Sequence, residues 1–314
     1  MSTLEGTEIV VVGSANMDVV FSTSRIPSPG ETLLATSLAR YAGGKGLNQA
    51  VAAARAGSRT SFIGALGRDE SGNALFDTMT DAGINSDCVR RVPEDSGHAF
   101  IVLADSAENT IIVASGANAT VTDLTQAERE VVASSAVVLM QLELPLSVVV
   151  EAARVARDAG TVVILNAAPA HSLSDDLIAN LDYLMVNEHE ACIVGGSDDL
   201  EEASLRLSTK VKYLVVTLGA EGSALYEDGH LVAHVPAFNV EAVDTTGAGD
   251  TYCGAFAAAI AEGRPVTAAA EFATVAAALS VQVHGAVPSI PTRDRIDAML
   301  SEHTTSFPRE SEEK

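Results

Sequence analysis

The sequence predicts an α/β protein in which helices cover both faces of a mostly parallel β-sheet. Short apolar runs rich in β-branched residues alternate with longer helical patterns along most of the 314 residues. Several of these runs are apolar at every position, as expected for strands that are buried on both faces. Hydrophobic residues make up 47% of the chain and charged residues 19%, which is enough apolar material for a large core. The length suits one large domain, alone or with a small appendage.

Six strands and four helices carry this pattern. The strands are predicted at Ile9–Val12, Ser61–Ile63, Val137–Met140, Val162–Leu165, Tyr183–Val186 and Tyr213–Val216. The helices are predicted at Gly46–Ala56, Ser71–Asp81, Leu146–Asp158 and Ala248–Ala261. Gly57, Gly160 and Gly263 follow three of these helices, and glycine is the residue that most often ends a helix.

Two stretches, residues 18–41 and 97–114, interrupt this alternation with β-like pieces that no helix separates. The pieces are Val19–Ser22, Glu31–Leu38, Ala99–Leu103 and Thr110–Ala114, with a hairpin-like turn at residues 105–109. We expect a small antiparallel sheet that projects from the main domain as a lid, and ordinary edge strands are the alternative. The α/β domain would then comprise residues 1–17, 42–96 and 115–314.

The composition argues against several classes of protein. Lysine and arginine number 19 against 42 aspartates and glutamates, and the net charge of −23 argues against binding to nucleic acid or an anionic membrane. The three cysteines form no CxxC pair, so neither a disulfide framework nor a zinc site is indicated. The polar N-terminus does not resemble a signal peptide, and the sequence has no uncharged apolar run of about 18 residues. We expect a cytoplasmic protein.

The strongest local signal is a run of small residues directly before an apolar helix. Gly247, Ala248 and Gly249 carry no bulky side chain, so the backbone N–H groups at the helix start could approach an anion closely. Asp250 follows in the first turn of the helix. A carboxylate at this position often only caps the helix, but a cap does not require the Gly-Ala-Gly segment. The pattern therefore favours an anion cradle beside a reactive carboxylate.

A second glycine-rich segment, residues 42–50, opens an earlier helix. Gly44, Lys45, Gly46 and Asn48 would place backbone N–H groups, an ammonium and an amide around one small space. The spacing matches neither the GxxxxGK[ST] phosphate loop nor the GxGxxG dinucleotide motif. A polyhydroxylated ligand fits this set of groups at least as well as a phosphate does. A plain turn with a solvated lysine is the alternative.

Polar residues also follow several of the predicted strands. Asn16 and Asp18 follow the first strand, Glu143 follows a later one, and Asn187 and Thr217 follow two more. In open α/β sheets, ligands bind at the edge where the strands have their carboxyl ends. Asn16 and Asp18 share a face if this segment is extended, and together they could hold vicinal hydroxyls. Turn formation is the commoner role of such residues and is the alternative here.

Together these motifs resemble the ribokinase (PfkB-like) family of sugar kinases. The resemblance runs from Val11 to about Arg293 and rests mainly on the segments Gly43–Asn48 and Asp244–Asp250. It implies a three-layer αβα domain with a β lid, and transfer of the γ-phosphoryl group of ATP to the 5-hydroxyl of D-ribose. The alternatives are another acceptor (deoxyribose, a nucleoside or a hexose such as fructose) and a catalytically silent sugar-sensing homologue.

The resemblance also implies a role for each matching residue. Asp250 would be the base, and the amides of Gly247, Ala248 and Gly249 would form the anion hole. The sugar would be held by Asn16, Asp18, Gly44, Lys45, Gly46, Asn48, Glu143 and Asp250. ATP and Mg²⁺ would be held by Asn187, Glu190, Thr217, Gly219, Gly222, Gly249 and Thr274. K⁺ would be held by Asp244, Thr246, Ser280, Val283, Gly285 and Ser289. The lids of two subunits would clasp to form a homodimer.

Overall fold

The computed structural model describes residues 9–106 and 108–306, which contain thirteen strands and eleven α-helices. Residue 107, in the predicted turn at 105–109, lies outside the described residues. The strands are β1 (Ile9–Val12), β2 (Asn16–Thr23), β3 (Ser37–Gly43), β4 (Thr60–Gly67), β5 (Val89–Val92), β6 (Gly97–Ala104), β7 (Asn109–Ala114), β8 (Val137–Met140), β9 (Val162–Asn166), β10 (Tyr183–Asn187), β11 (Tyr213–Thr217), β12 (Ser223–Glu227) and β13 (His230–Val235).

The α-helices alternate with the strands over most of this length. They are α1 (Lys45–Arg55), α2 (Glu70–Asp81), α3 (Gln126–Ser134), α4 (Leu146–Ala159), α5 (Asp175–Ile178), α6 (Glu188–Gly195), α7 (Leu200–Ser208), α8 (Ala248–Ala261), α9 (Val266–Ser280), α10 (Ala286–Ser289) and α11 (Arg293–Ser306), with 3-10 turns at Gly116–Thr120 and Gly219–Glu221. Among these helices, none combines the length and the apolar character that a membrane span requires.

The larger sheet has nine strands in the order β13-β12-β11-β10-β9-β8-β1-β4-β5. Strands β5, β4, β1, β8, β9, β10 and β11 run parallel, and β12 and β13 complete one edge as antiparallel strands. The predicted α/β class is therefore confirmed. All six predicted strands and all four predicted helices are present, and the largest difference in their bounds is at β4, which extends four residues beyond Ile63.

Two hydrophobic cores lie on opposite faces of this sheet. In β1, Ile9 and Val11 belong to the core shared with α1, α2, α8, α9 and α11, whereas Val10 and Val12 belong to the core shared with α3, α4, α5, α6 and α7. Because successive side chains of a strand point to opposite faces, a strand that is apolar at every position must be covered on both sides. This produces the three-layer αβα arrangement.

The smaller sheet has four strands in the order β3-β2-β6-β7. The β3–β2 and β6–β7 pairs are antiparallel, as predicted, and the central β2–β6 pair is parallel. Parallel strands need a long crossover, and here the chain runs through β3, α1, β4, α2 and β5 before it returns as β6.

The predicted strand at Glu31–Leu38 was wrong over most of its length. Residues 31–36 are irregular, and the strand that pairs with β2 is Ser37–Gly43. The pairing register places Asn16 opposite Gly43, so β3 ends where β2 begins. The apolar residues on which the prediction rested include Leu34, whose surface is 86% exposed, so burial does not favour a strand there.

The N-terminal turns of α1 and α8 meet at the carboxyl edge of the larger sheet. Gly254 in α8 makes this contact possible, since a Cβ there would lie only 2.3 Å from the carbonyl oxygen of Gln49 in α1. Without a side chain at this position, the two helix backbones approach each other closely. Residues in the first turns of both helices are thereby brought within hydrogen-bonding distance.

Candidate active site

The Asp250 carboxylate is buried in the first turn of α8, with 8% of the residue exposed. Its Oδ2 accepts a hydrogen bond from Asn48 Nδ2 at 3.0 Å, and its Oδ1 accepts one from Gln49 Nε2 at 3.0 Å. Asp250 also lines a cavity at the carboxyl edge of the sheet. The carboxylate therefore faces the cavity and is held by two amides of α1.

The helix start beside Asp250 forms part of the predicted amide cradle. Gly247 adopts a left-handed conformation with φ of +75°, which favours glycine. No bond joins the N–H groups of Gly247 or Gly249 to another described residue, and a Cβ on Gly249 would have only open space within 4 Å. The N–H of Ala248 differs from the prediction, because it donates to the Thr245 carbonyl at 3.2 Å and closes a turn. Two of the three predicted amides are thus free to bind an anion.

Asp18 lies close to two other carboxylates, Glu143 and Asp250. Burial, followed by the charges of Glu143 and Asp250, raises the pKa of Asp18 to about 7. The charge of Asp250 raises the pKa of the Lys45 ammonium, although burial alone would lower it. One lysine therefore stays charged among several carboxylates, and Asp18 can change its protonation state near neutral pH.

Asn16 is only 2% exposed and is held by a residue that the sequence analysis missed. Its Oδ1 accepts a hydrogen bond from Asn118 Nδ2 at 2.8 Å. Asn118 also bonds both backbone groups of Ala15, accepting from its N–H at 3.1 Å and donating to its carbonyl at 3.3 Å. Asn118 follows β7, so it ties the chain leaving the smaller sheet to the start of β2.

Glu143 connects the end of β8 to the start of α1. Its Oε2 accepts hydrogen bonds from Ser14 Oγ at 2.5 Å and from the Lys45 backbone N–H at 3.1 Å. The carboxylate therefore also caps the N-terminus of α1. Both bonds use Oε2, and Oε1 takes part in neither.

Gly44 and Gly46 allow the close packing of this loop. Gly44 has φ of +88°, and a Cβ there would lie 2.7 Å from the Asn16 nitrogen. A Cβ on Gly46 would lie 2.5 Å from the Ser14 nitrogen, and the N–H of Gly46 donates to Ser14 Oγ at 3.4 Å. The Gly46 N–H therefore bonds within the protein, whereas the sequence predicted that Gly46 would bind the ligand.

Two adjoining cavities extend from Asp250 across the ends of the strands. The first, about 210 Å³, is lined by Lys45, Asn187, Glu190, Thr217, Gly247, Gly249, Asp250 and other residues. The second, about 500 Å³, is lined by Thr217, Gly219, Gly222, Gly249, Tyr252, Thr274 and other residues. Thr217 and Gly249 line both cavities, so the two lie side by side. All seven residues predicted on the nucleotide side line one of them.

Asn187 and Glu190 form a reciprocal cap at the start of α6. Asn187 Oδ1 accepts from the Glu190 N–H at 2.8 Å, and Glu190 Oε2 accepts from the Asn187 N–H at 2.9 Å. Burial raises the pKa of Glu190. Among the residues described, no group of three or more His, Cys, Asp or Glu side chains could hold a metal ion. A carboxylate oxygen facing a cavity still suits Mg²⁺, which takes one or two protein oxygens and otherwise binds phosphates and water.

Asp244 is the centre of the predicted monovalent-cation site. Its Oδ1 accepts from the Thr246 N–H at 2.9 Å, and its Oδ2 accepts from the Gly285 N–H at 2.8 Å. Burial opposes ionisation, but these N–H groups lower the pKa of Asp244 below its usual range. The hydroxyls of Ser280 and Ser289 donate to carbonyls within their own turns, at 2.8 Å each. A carboxylate that stays ionised supplies a negatively charged oxygen, which is a donor that fits a monovalent cation.

A buried amide cluster behind Asp250 was not predicted from the sequence. It consists of Gln49, Gln141 and Asn166, none more than 8% exposed. Gln49 lies in the glycine-rich segment that was singled out, and Gln141 and Asn166 stand at the ends of β8 and β9. The sequence signal that could have identified Gln141 and Asn166 is that each stands at the end of a predicted strand, at the edge of the sheet where ligands bind.

Comparison with known proteins gives consistent matches over nearly the whole chain. The family described as "pfkB family carbohydrate kinase" matches residues 6–293. The ribokinase of Bacillus subtilis is 40% identical over 295 residues, which cover 93% of this chain and 99% of that protein. A deoxyribokinase of Salmonella typhi is 34% identical over 304 residues, covering 94% and 99%.

The fold matches solved structures equally well. The structure of Arabidopsis thaliana ribokinase complexed with ribose and ATP is similar with a TM-score of 0.88 and 36% identity, covering 94% of this chain and 99% of that one. The resemblance noted in the sequence therefore holds in the comparison of folds.

Asn118 provides a test of how the start of the smaller sheet is held. We expect Asn118→Ala to lower the free energy of unfolding by about 2–3 kcal/mol, because it leaves buried groups of Ala15 and Asn16 without partners. Chemical denaturation measures this loss. Ser208→Ala, which removes a buried hydroxyl bonded within α7, is the control and should cost about 1 kcal/mol or less. Equal stabilities for the two variants would contradict the role given to Asn118.

Proposed function

The chain belongs to the pfkB family of carbohydrate kinases, and we propose that it is an ATP-dependent ribokinase that phosphorylates the 5-hydroxyl of D-ribose. The relatives named ribokinase and the fold shared with a ribokinase complexed with ribose and ATP support this activity. The observation that carries the proposal is the buried Asp250 carboxylate, which faces a cavity beside two free amides of the α8 N-terminus.

In this proposal Asp250 is the base that takes the proton of the sugar hydroxyl. The amides of Gly247 and Gly249, with the positive end of the α8 dipole, stabilise the negative charge on the transferring phosphoryl group. Phosphoryl transfer depends mainly on positioning and charge stabilisation, and general-base help adds about 10²–10⁴-fold. The close contact between α1 and α8 supports both requirements, because it holds the base at the mouth of the amide cradle.

We assign the sugar to the space between the smaller sheet and the N-terminus of α1. Asp18 and the free oxygen of Glu143 would accept hydrogen bonds from sugar hydroxyls, and Lys45 and Asn48 would donate them. Asn16, fixed by Asn118, would add its amide N–H₂ group. Gly44 and Gly46 would contribute by letting the loop pack tightly against the strand ends.

The two adjoining cavities suit ATP. The smaller one, lined by Lys45, Glu190 and the amide cradle, would take the phosphates, and the larger, more apolar one beside Thr274 would take the adenine and ribose. Asn187 and Glu190 would hold Mg²⁺, which neutralises phosphate charge when bound. The net charge of −23 gives no long-range attraction for ATP, so capture would depend on Lys45, the helix N-terminus and Mg²⁺.

The smaller sheet would act as the lid of the sugar site and as the contact between two subunits. Residues 18–41 and 97–114 would form this lid, and the rest of the chain would form the main domain. Leu38, Phe100, Ile111 and Ile112 are exposed apolar residues on these strands. Several exposed apolar side chains on one small sheet favour burial against a second copy. We therefore include a homodimer in the proposal.

Phosphorylation of 2-deoxyribose is the second candidate, because a deoxyribokinase is 34% identical over nearly the whole chain. A coupled assay of ADP release with MgATP and a panel of pentoses, hexoses and nucleosides tests both. A kcat/KM for ribose that exceeds every other acceptor supports the proposal. A higher value for deoxyribose or a nucleoside would assign the chain to that acceptor, and no ADP release with any acceptor would contradict a kinase.

Replacing the proposed base should affect turnover far more than binding. We expect Asp250→Ala to lower kcat at least about 100-fold, because the sugar hydroxyl loses its proton acceptor. Alanine is preferable to asparagine, whose NH₂ group would face the N–H donors of either Asn48 or Gln49. Steady-state kinetics and equilibrium binding of ribose and ATP measure the two effects. Turnover near that of the wild type would remove Asp250 as the base.

Sugar affinity should depend on pH through Asp18. With a pKa of about 7, its carboxyl becomes protonated as the pH falls from 8 to 6 and loses a charged acceptor for sugar hydroxyls. We expect the KM for ribose to rise as the pH falls through 7, by up to about tenfold per unit. Asp18→Asn should have a raised KM that changes little with pH. A wild-type KM that is constant from pH 6 to pH 8 would contradict this assignment.

The monovalent-cation site predicts activation by K⁺. A cation beside Asp244 would add positive charge near the amide cradle, so we expect a higher kcat in K⁺ buffer than in tetramethylammonium buffer of the same ionic strength. Asp244→Asn should reduce the difference between the buffers. Equal wild-type rates in both buffers would exclude the cation site.

A further inference from the structure

We propose that Gln49 is a positioning residue that fixes the orientation of the Asp250 carboxylate from behind the site. Gln49 is fully buried, with 0% of its surface exposed, and it donates to Asp250 Oδ1, whereas Asn48 donates to the other oxygen. It would act through Asp250 alone and would touch neither substrate. This inference rests on the proposed function, in which Asp250 is the base.

The directions of the side-chain amides behind Asp250 are set by groups that can only accept hydrogen bonds. The Asp250 carboxylate is one such group, and Gln49 must therefore turn its Nε2 towards it. The Met185 carbonyl is the other, and it accepts from Asn166 Nδ2 at 3.2 Å. Asn166 then presents its Oδ1 to Gln49 Nε2 at 3.0 Å. A flip of either amide would place a lone pair against an acceptor.

The third amide completes the network on the other side of Gln49. Gln49 Oε1 accepts from Gln141 Nε2 at 2.6 Å, so both polar atoms of the Gln49 side chain are bonded. Gln141 stands between β8 and Glu143, and its Oε1 is buried without a partner in the described part of the chain. Because the buried Gln49 side chain has partners for both its oxygen and its nitrogen, turning it would break these bonds, which favours one fixed orientation of Gln49.

The base needs such a support because the last torsion of an aspartate side chain is soft. Rotation about χ2 has broad minima, so packing alone does not define the plane of the Asp250 carboxylate. Asn48 bonds one oxygen, but in the proposed function it also binds the sugar. Gln49 bonds the other oxygen and has no such second task. Because reaction rates are sensitive to misplacement of about 1 Å, losing this contact should lower turnover with little effect on binding.

Gln49→Met tests this role, since methionine has a similar volume and no N–H group. We expect kcat to fall about 10- to 100-fold, as for loss of a hydrogen bond to a charged group, while the KM values for ribose and ATP change by less than about twofold. Gln141→Met should produce a smaller loss in the same direction. Ser208→Ala is the control for removal of a buried polar group and should leave both constants unchanged.

A double-mutant cycle with Asp250→Ala distinguishes positioning from general damage to the fold. If Gln49 acts through Asp250, adding Gln49→Met to Asp250→Ala should change the residual rate by less than about twofold. Three results would overturn the proposal. The rate losses of the two single variants could multiply in the double variant, Gln49→Met could have a wild-type kcat, or Gln49→Met could change KM alone. A wild-type rate in Asp250→Ala would instead reject the base itself, so the two failures are distinguishable.

Gln49→Glu keeps the inference testable if Gln49→Met does not fold. An ionised carboxyl at this position would repel Asp250, whereas a protonated one could donate a hydrogen bond to it. We expect the ratio of variant to wild-type kcat to increase as the pH is lowered from 8 to 6. A ratio that stays near one at every pH would overturn the role of Gln49.

Discussion

The contact between the first turns of α1 and α8 is the constraint on which the rest of the site depends. It joins segments that are about two hundred residues apart in the sequence, and it requires glycine at position 254. Through this contact, two neighbouring amides of α1 hold both oxygens of the Asp250 carboxylate. The same turn of α8 carries the free backbone N–H groups, so one helix fixes the proposed base relative to the amides proposed to bind the phosphoryl group.

The electrostatics of the site are local, because the protein as a whole is strongly acidic. Lys45 is one of only four lysines in the chain, and it lies where Asp250 and other carboxylates keep it charged. The same crowding of carboxylates raises the pKa of Asp18. In the proposed function, sugar hydroxyls would donate hydrogen bonds to these carboxylates, and binding of ATP would depend on local positive groups rather than on the net charge.

Much of the fold and part of the site could be predicted from the sequence, because local patterns decide them. Continuous apolar runs predicted the buried strands, and the Gly-Ala-Gly segment before Asp250 predicted the free amides of Gly247 and Gly249 at a helix start, although not the bonded amide of Ala248. The incorrect strand and the missed site residues have a common cause, because contacts between distant parts of the chain determine them. The register of β2 with β3 placed a strand beyond Leu38, and only tertiary structure brings Asn118 to Asn16 or Gln49 to Asp250.

A crystal structure with ribose and a non-hydrolysable ATP analogue would test the arrangement most directly. We expect one Asp250 oxygen to lie within about 2.6–3.2 Å of the ribose 5-hydroxyl, with the terminal phosphate at the amides of Gly247 and Gly249. The hydrogen bond from Gln49 to the other oxygen should be retained. A complex in which Asp250 turns away from the sugar, or in which the phosphate lies elsewhere, would contradict this mechanism.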